Sequence, residues 1–153
     1  NFLGPAALAK AYRFVADPRD DADFERLNDL NQPGGMWDCT RCMQCIEVCP
    51  KGVAPMDRIM SLRDKAMEAG VKETYGSRHA EFFAKSVEHS GWLDELRLPI
   101  NTFGIFNIKE MVKMIPLAIR SKKAGKVPPI IHKKRPGADH VARIFEKVES
   151  RKK

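Results

Sequence analysis

Four cysteines fall within eleven residues, as Cys39-Thr-Arg-Cys42-Met-Gln-Cys45-Ile-Glu-Val-Cys49-Pro50, and the 153-residue chain has no others. Two-residue gaps let a tight loop aim three sulfurs at one centre. The three-residue gap before Cys49 re-aims the fourth, and Pro50 stops the short helix there. The spacing C-x2-C-x2-C-x3-C-P is a run that holds cubane iron–sulfur clusters, the fourth thiolate serving the second cluster where there are two. That names one-electron transfer as the chemistry. A second run is therefore expected, and the sequence does not contain it. The chain opens on Asn1 rather than Met and reads as a piece of a longer protein.

Two inorganic alternatives fit this run less well. Disulfide frameworks spread their cysteines to staple distant segments, whereas bonds between cysteines three apart close only tiny loops. Zinc sites draw two C-x2-C pairs from separated loops, and four ligands in one short run reach a tetrahedron poorly. The thiols thus point to iron–sulfur chemistry in a reducing compartment, with Cys39, Cys42, Cys45 and Cys49 as ligands.

Apolar content of 43% and charged content of 31% are those of a water-soluble globular protein. No run approaches eighteen apolar residues, so nothing is expected to span a bilayer. The net charge of +7 is unevenly placed. From Arg120 to Lys153 there are twelve Lys or Arg against three acids, while the preceding 119 residues carry fifteen bases and seventeen acids. Such a basic tail suits an acidic partner subunit or anionic lipid, or is a solvated end. No aromatic residues interleave the bases to stack on, which argues against nucleic acid.

The periodicities predict an all-α fold. Pro5 opens a helix with Leu8, Ala11, Tyr12 and Val15 on one stripe, closed by Asp17-Pro18. A short acidic helix follows, with Phe24, Leu27 and Leu30 inward. After the cysteines comes a helix from Pro55 to Ala69, ended by Gly70, with Met56, Ile59, Met60 and Met67 as its apolar side. The next runs from Ser77 to Ser90 with Ala80, Phe83, Ala84 and Val87 inward. Leu93 to Asn101 is the expected change of direction. Asn107 caps a helix from Ile108, in which Pro116 predicts a kink or two abutting helices, the second ending at Gly125. The last amphipathic helix covers Asp139 to Glu149, with Val141, Ile144, Phe145 and Val148 on one face. The expected domains are 1–70, around the cysteines, and 71–153, a helical extension with a basic tail that docks partners.

The first seventy residues resemble a family. Phe2-Leu3-Gly4-Pro5-Ala6-Ala7-Leu8, Ala11-Tyr12-Arg13-Phe14 and Asp17-Pro18-Arg19-Asp20, followed by a run ending Cys49-Pro50-Lys51-Gly52, are similar to the iron–sulfur subunit of succinate dehydrogenases and fumarate reductases. The resemblance implies an α-helical ferredoxin-like domain. It matches Cys39 and Cys45 to ligands of the cluster nearest the quinone, and Cys49 to the ligand lent to the middle cluster. Cys42 stands where familiar members carry an aliphatic residue and hold a three-iron cluster, so a [4Fe–4S] cluster is expected here. Thr40 stands where many quinone-reactive members carry His, which argues against direct quinone binding at this point. His79, Glu81-Phe82-Phe83, Ser86-Val87, Gly91 and Glu95, with Pro116-Leu117-Ala118-Ile119-Arg120 and Gly125-Lys126, resemble the C subunit of heterodisulfide reductases.

The resemblance implies an electron-transfer subunit of an oxidoreductase complex, relaying electrons between a flavoprotein subunit and a quinone-facing partner. That partner is a cysteine-rich, heterodisulfide-reductase-like subunit or a membrane anchor. The quinone is reached indirectly, and the chain is cytoplasmic and peripheral to the inner membrane through its partners. The alternatives are the cluster subunit of a heterodisulfide reductase or of a glycerol-3-phosphate, lactate or glycolate dehydrogenase complex, or a non-redox module with a structural metal. Trp37 reads as a packed core residue rather than a quinone contact. His79 and His89 read as packing or surface residues, the Met56, Met60 and Met67 stripe as core, and no acid–base pair or nucleophile arrangement stands out.

Overall fold

The computed structural model describes residues 1–129 and 133–151. It is helical, and no strand occurs among the described residues. The helices are α1 (Pro5–Val15), α2 (Asp23–Leu30), α3 (Gln44–Glu47), α4 (Pro55–Glu68), α5 (Tyr75–Ser90), α6 (Arg97–Phe103), α7 (Ile108–Lys123) and α8 (Ala138–Ser150), with a 3₁₀ turn at Met36–Asp38. The chain divides into two compact units, Asn1–Ser77 and Arg78–Lys153. Residues 130–132, and 152–153 at the end of the basic tail, lie outside the described residues.

In the first unit, Pro5 stands in the first turn of α1, where its missing N–H costs nothing. Asp17 closes the exit by accepting bonds from the backbone and side chain of Arg19. The core joins Leu8 and Val15 of α1, Leu27 and Leu30 of α2, Met36, Val71, and Ile59, Leu62 and Ala66 of α4. Helix α4 is the common wall, touching α1, α2, α3 and the 3₁₀ turn. Its buried line is Ile59, Leu62 and Ala66, while Met56, Met60 and Met67 are half-buried flanks. Phe24, expected inside, is 60% exposed. Helix α2 has only eight residues, and its C-terminal turn alone lies on the core, so the first-turn phenyl ring overhangs the edge.

The second unit departs further from its hydrophobic pattern. Phe83 and Ala84 of α5 are exposed, Ala80 and Val87 are half-buried, and the buried positions of the helix in this unit are Ser86 and Ser90. The reason is the loop after α5, which folds back on the helix. Ser90 donates to the carbonyls of Ser86 and Trp92, both at 2.9 Å, and Ser86 Oγ accepts the Asp94 N–H at 2.7 Å. Small hydroxyls satisfied in this way pack closer than phenyl rings. Where a change of direction was expected, the turn is followed by α6, whose Arg97 N–H is held by Asp94 Oδ1 at 3.0 Å.

Asn107 caps α7 through its side chain as expected, accepting the Glu110 N–H. Of the kink or break expected at Pro116, the break does not occur: Pro116 leaves the Val112 carbonyl without its donor, yet the helix continues to Lys123 as one element. The loop before α8 is tied back to α5 by the Arg135 N–H on the Ser90 carbonyl at 3.0 Å. The Arg135 guanidinium lies over the Trp92 ring, 4.0 Å from its centroid. Helix α8 has the expected amphipathic register, but Ile144 and Val148 face outward, uncovered.

Because Leu62 is fully buried and Phe83 is 45% exposed, their alanine substitutions should separate. Leu62→Ala should cost about 2–5 kcal/mol in urea unfolding followed by far-UV dichroism, and Phe83→Ala within about 1 kcal/mol.

Candidate metal centre

The chain reaches the cysteines through a turn that is held on every side. A Cβ on Gly35 would run into the Leu30 carbonyl, so only glycine allows this turn. Asp38 Oδ2 accepts the Gly34 N–H at 2.7 Å, closing the turn. Buried Asn31 accepts from Trp37 Nε1 at 2.7 Å and from Thr74 Oγ1 at 3.2 Å. Trp37 is thus a packing residue, half-buried against the core with its one donor satisfied.

Arg63 was not singled out by sequence, and it is the strongest polar anchor of this segment. It projects from α4 and is only 6% exposed. Its Nε and Nη2 donate to the Met36 carbonyl at 2.9 and 2.7 Å, and Nη2 also donates to the Trp37 and Cys39 carbonyls at 3.2 and 2.8 Å. The guanidinium also lies over the Trp37 ring at 5.2 Å. Burial lowers its pKa from the ordinary arginine value and Arg41 adds to this, while Cys39 and Asp38 act the other way. A group so basic stays charged, so a cation is held here on carbonyl dipoles. The signal in the sequence was a charge set among Ile59, Leu62 and Ala66, on the apolar line of its own helix.

Past Cys39 the backbone is forced. Arg41 (φ 58°), Met43 (φ 66°) and Ala54 (φ 50°) are non-glycine residues in left-handed conformation, and all three lie in or just after the cysteine run. Such residues cost about 1–3 kcal/mol each and cluster at functional sites. Met43 starts α3, a single turn that carries Cys45 and packs on α4. Beyond it, the Val53 N–H donates to Cys49 Sγ at 3.4 Å. The N–H groups of Val53 and Lys51, then those of Gly52 and Ala54, hold the Cys49 thiol below the usual thiol range.

All four cysteines are free; Cys42 is exposed and the other three are half-buried. Among the described residues, no three His, Cys, Asp or Glu side chains are gathered closely enough to hold a metal ion. The donor set still fits an iron–sulfur group: soft thiolates alone, with backbone N–H donors turned on one sulfur. His79 is exposed on α5 and pairs with Thr102 Oγ1 at 3.4 Å within the second unit.

Two expectations follow. Arg63→Met strips three carbonyls of their donor and should cost about 3 kcal/mol or more in urea unfolding; Arg63→Lys should recover little, because an ammonium cannot fork across them. A depressed Cys49 pKa favours the fold above the unfolded thiol's value, and that increment disappears as pH falls through the folded value. In the cluster-free chain, iodoacetamide should therefore alkylate Cys49 at lower pH than it does in urea, as read by mass spectrometry; coincident pH profiles would contradict the contact.

Comparison with known proteins agrees with this chemistry. Residues 5–53 match the family model of the 4Fe-4S dicluster domain. The chain is 29% identical over 131 residues to the 8-methylmenaquinol:fumarate reductase iron-sulfur subunit of Wolinella succinogenes, covering 85% of this chain and 40% of that protein. An alignment of that length runs beyond the 77 residues of the first unit into the second. Identity is 45% over 62 residues to the succinate dehydrogenase iron-sulfur subunit of Paracoccus denitrificans, 40% of this chain and 24% of that one. It is 48% over 54 residues to the fumarate reductase iron-sulfur subunit of Escherichia coli, 35% of this chain and 22% of that one. The chain thus spans 40% or less of the length of these relatives. No solved structure matches it significantly. The 4Fe-4S domain thus lies over α1, α2 and the cysteine run, and the chain is similar to the iron–sulfur subunits of succinate dehydrogenases and fumarate reductases.

Proposed function

We propose that this chain relays single electrons within a succinate dehydrogenase or fumarate reductase complex, between a flavoprotein subunit and a quinone-facing partner. The observation that carries the reading is the run of four free cysteines lying within a matched 4Fe-4S domain. A cluster of this kind, when bound, exchanges one electron without moving atoms. Cys39, Cys42 and Cys45 are its thiolates, and Cys49 serves a second cluster. The chain's own contribution is position and electrostatics. Arg63 fixes the peptide that carries Cys39 and places a positive charge beneath it, and the Val53 N–H on Cys49 Sγ stabilises negative charge on that sulfur. Both favour the reduced state.

The dicarboxylate chemistry belongs to the flavoprotein subunit. The second unit docks the quinone-facing partner, a heterodisulfide-reductase-like subunit or a membrane anchor, and the complex is peripheral to the membrane. Cys42 completes a [4Fe–4S] set where an aliphatic residue would leave three irons.

The test is metal and sulfide analysis with EPR on the native complex, purified anaerobically. Iron with acid-labile sulfide, visible absorption bleached by dithionite and no stoichiometric three-iron signal are expected, with Cys42→Ser bringing that signal up. Zinc in place of iron, or a three-iron signal in the unsubstituted protein, would overturn the assignment.

A further inference from the structure

Helix α7 is sixteen residues long, and not one of them is buried. This is odd for a helix so clearly two-sided. Ile108, Val112, Ile115 and Ile119 recur at i, i+4, i+7 and i+11, which places them in one stripe. Ile108 is 72% exposed, and the other three are at least half exposed. Phe106, just before the helix, is 96% exposed. A stripe of this composition in contact with water is a surface awaiting an occupant.

The charges around it identify the occupant. Residues 105–126 carry six bases, Lys109, Lys113, Arg120, Lys122, Lys123 and Lys126, against one acid, Glu110. That acid is itself paired with Lys113 at 2.6 Å. Lys109, Lys113 and Arg120 share the flank beside the stripe, and Lys122 and Lys123 extend past its C-terminal end, where long stems can lie along apolar surface with their heads in a polar layer. Lysine is depleted from protein–protein interfaces relative to other surface, and charge is depleted most at their cores. A helix with apolar residues on one face and lysines along its border is instead the form that lies in the headgroup layer of a membrane. Its length is about 24 Å, shorter than the bilayer core of about 30 Å, and no helix among the described residues is long and apolar enough to cross. It fits in the plane of the layer, not through it.

We infer that α7, with Phe106 as its aromatic anchor, binds directly to the surface of an anionic phospholipid bilayer. The contact is the chain's own and does not depend on a partner subunit to hold it there. It is also independent of the cysteines, so it stands or falls apart from the electron-transfer reading.

The test is co-sedimentation of the intact subunit, clusters loaded, with phosphatidylcholine vesicles containing or lacking phosphatidylglycerol. Binding is expected only with phosphatidylglycerol, and it should weaken as salt rises. Because the stripe is exposed, Val112→Asp with Ile115→Asp should keep the far-UV spectrum and cluster absorption while lowering partitioning about tenfold or more. Lys122→Gln with Lys123→Gln should lower it about fivefold for each charge removed. In Phe106→Trp, vesicles should shift the added emission to the blue. Three results would overturn the inference: no binding to phosphatidylglycerol vesicles, equal binding to neutral ones, or unchanged binding in both double variants. Loss of a co-purifying subunit from the aspartate variant without any vesicle binding would make this face a protein interface instead.

Discussion

A single buried guanidinium organises the cysteine-bearing unit. Arg63 has three carbonyls to satisfy and is bonded to all of them. A buried charge without such partners would be prohibitively costly, and the buried Met36 carbonyl and the part-buried Trp37 and Cys39 carbonyls would each destabilise the fold without a donor. Each side of the contact therefore requires the other. The bonds lock the path from Met36 to Cys39 onto α4, and α4 is the element on which α1, α2 and α3 converge. The position of the first sulfur thus depends on the whole first unit and not on its local loop.

The two units obey different packing rules. The first buries leucine, isoleucine, valine and methionine in one cluster. The second relies on serine hydroxyls closed by a folded-back loop, on a guanidinium stacked over Trp92 and on small residues at the contact. It leaves apolar faces of α7 and α8 uncovered. An economy of internal core is what one expects of a part whose apolar surface is used outward.

This difference explains what was legible in the sequence. Most helix positions were readable, because Pro5, Pro55, Asn107 and the glycines after α4 and α5 mark ends through local backbone chemistry, but α6 lay in the segment read as a change of direction. Burial in the first unit followed the hydrophobic stripe in part: Phe24 lies at a helix edge, and in α4 Leu62 and Ala66 are buried while Met56, Met60 and Met67 are only flanks. In the second unit the stripe misled: an apolar residue at helical spacing shows that a face exists, and says nothing about whether the chain itself covers it. Hence Phe83 turned outward and the serines inward. The cysteine run was legible because its meaning lies in spacing. Arg63 was not, because its partners are backbone carbonyls, which every residue possesses and which leave no trace in a pattern of side chains.

The left-handed residues Arg41, Met43 and Ala54 have one more consequence. An L-amino acid with a Cβ does not choose that conformation when free, so the segment from 39 to 54 keeps its course only while something at its ends and middle restrains it. Arg63 and the Pro55 start of α4 restrain the ends. The middle is held by the packing of α3 on α4 and by the inorganic centre its sulfurs would hold, so oxidative loss of that centre would loosen the stretch around Arg41 and Met43 while the helices beneath it stayed folded. Reassembly would then begin from a slack loop on an intact scaffold, and the scaffold would set the order in which the thiols are re-engaged.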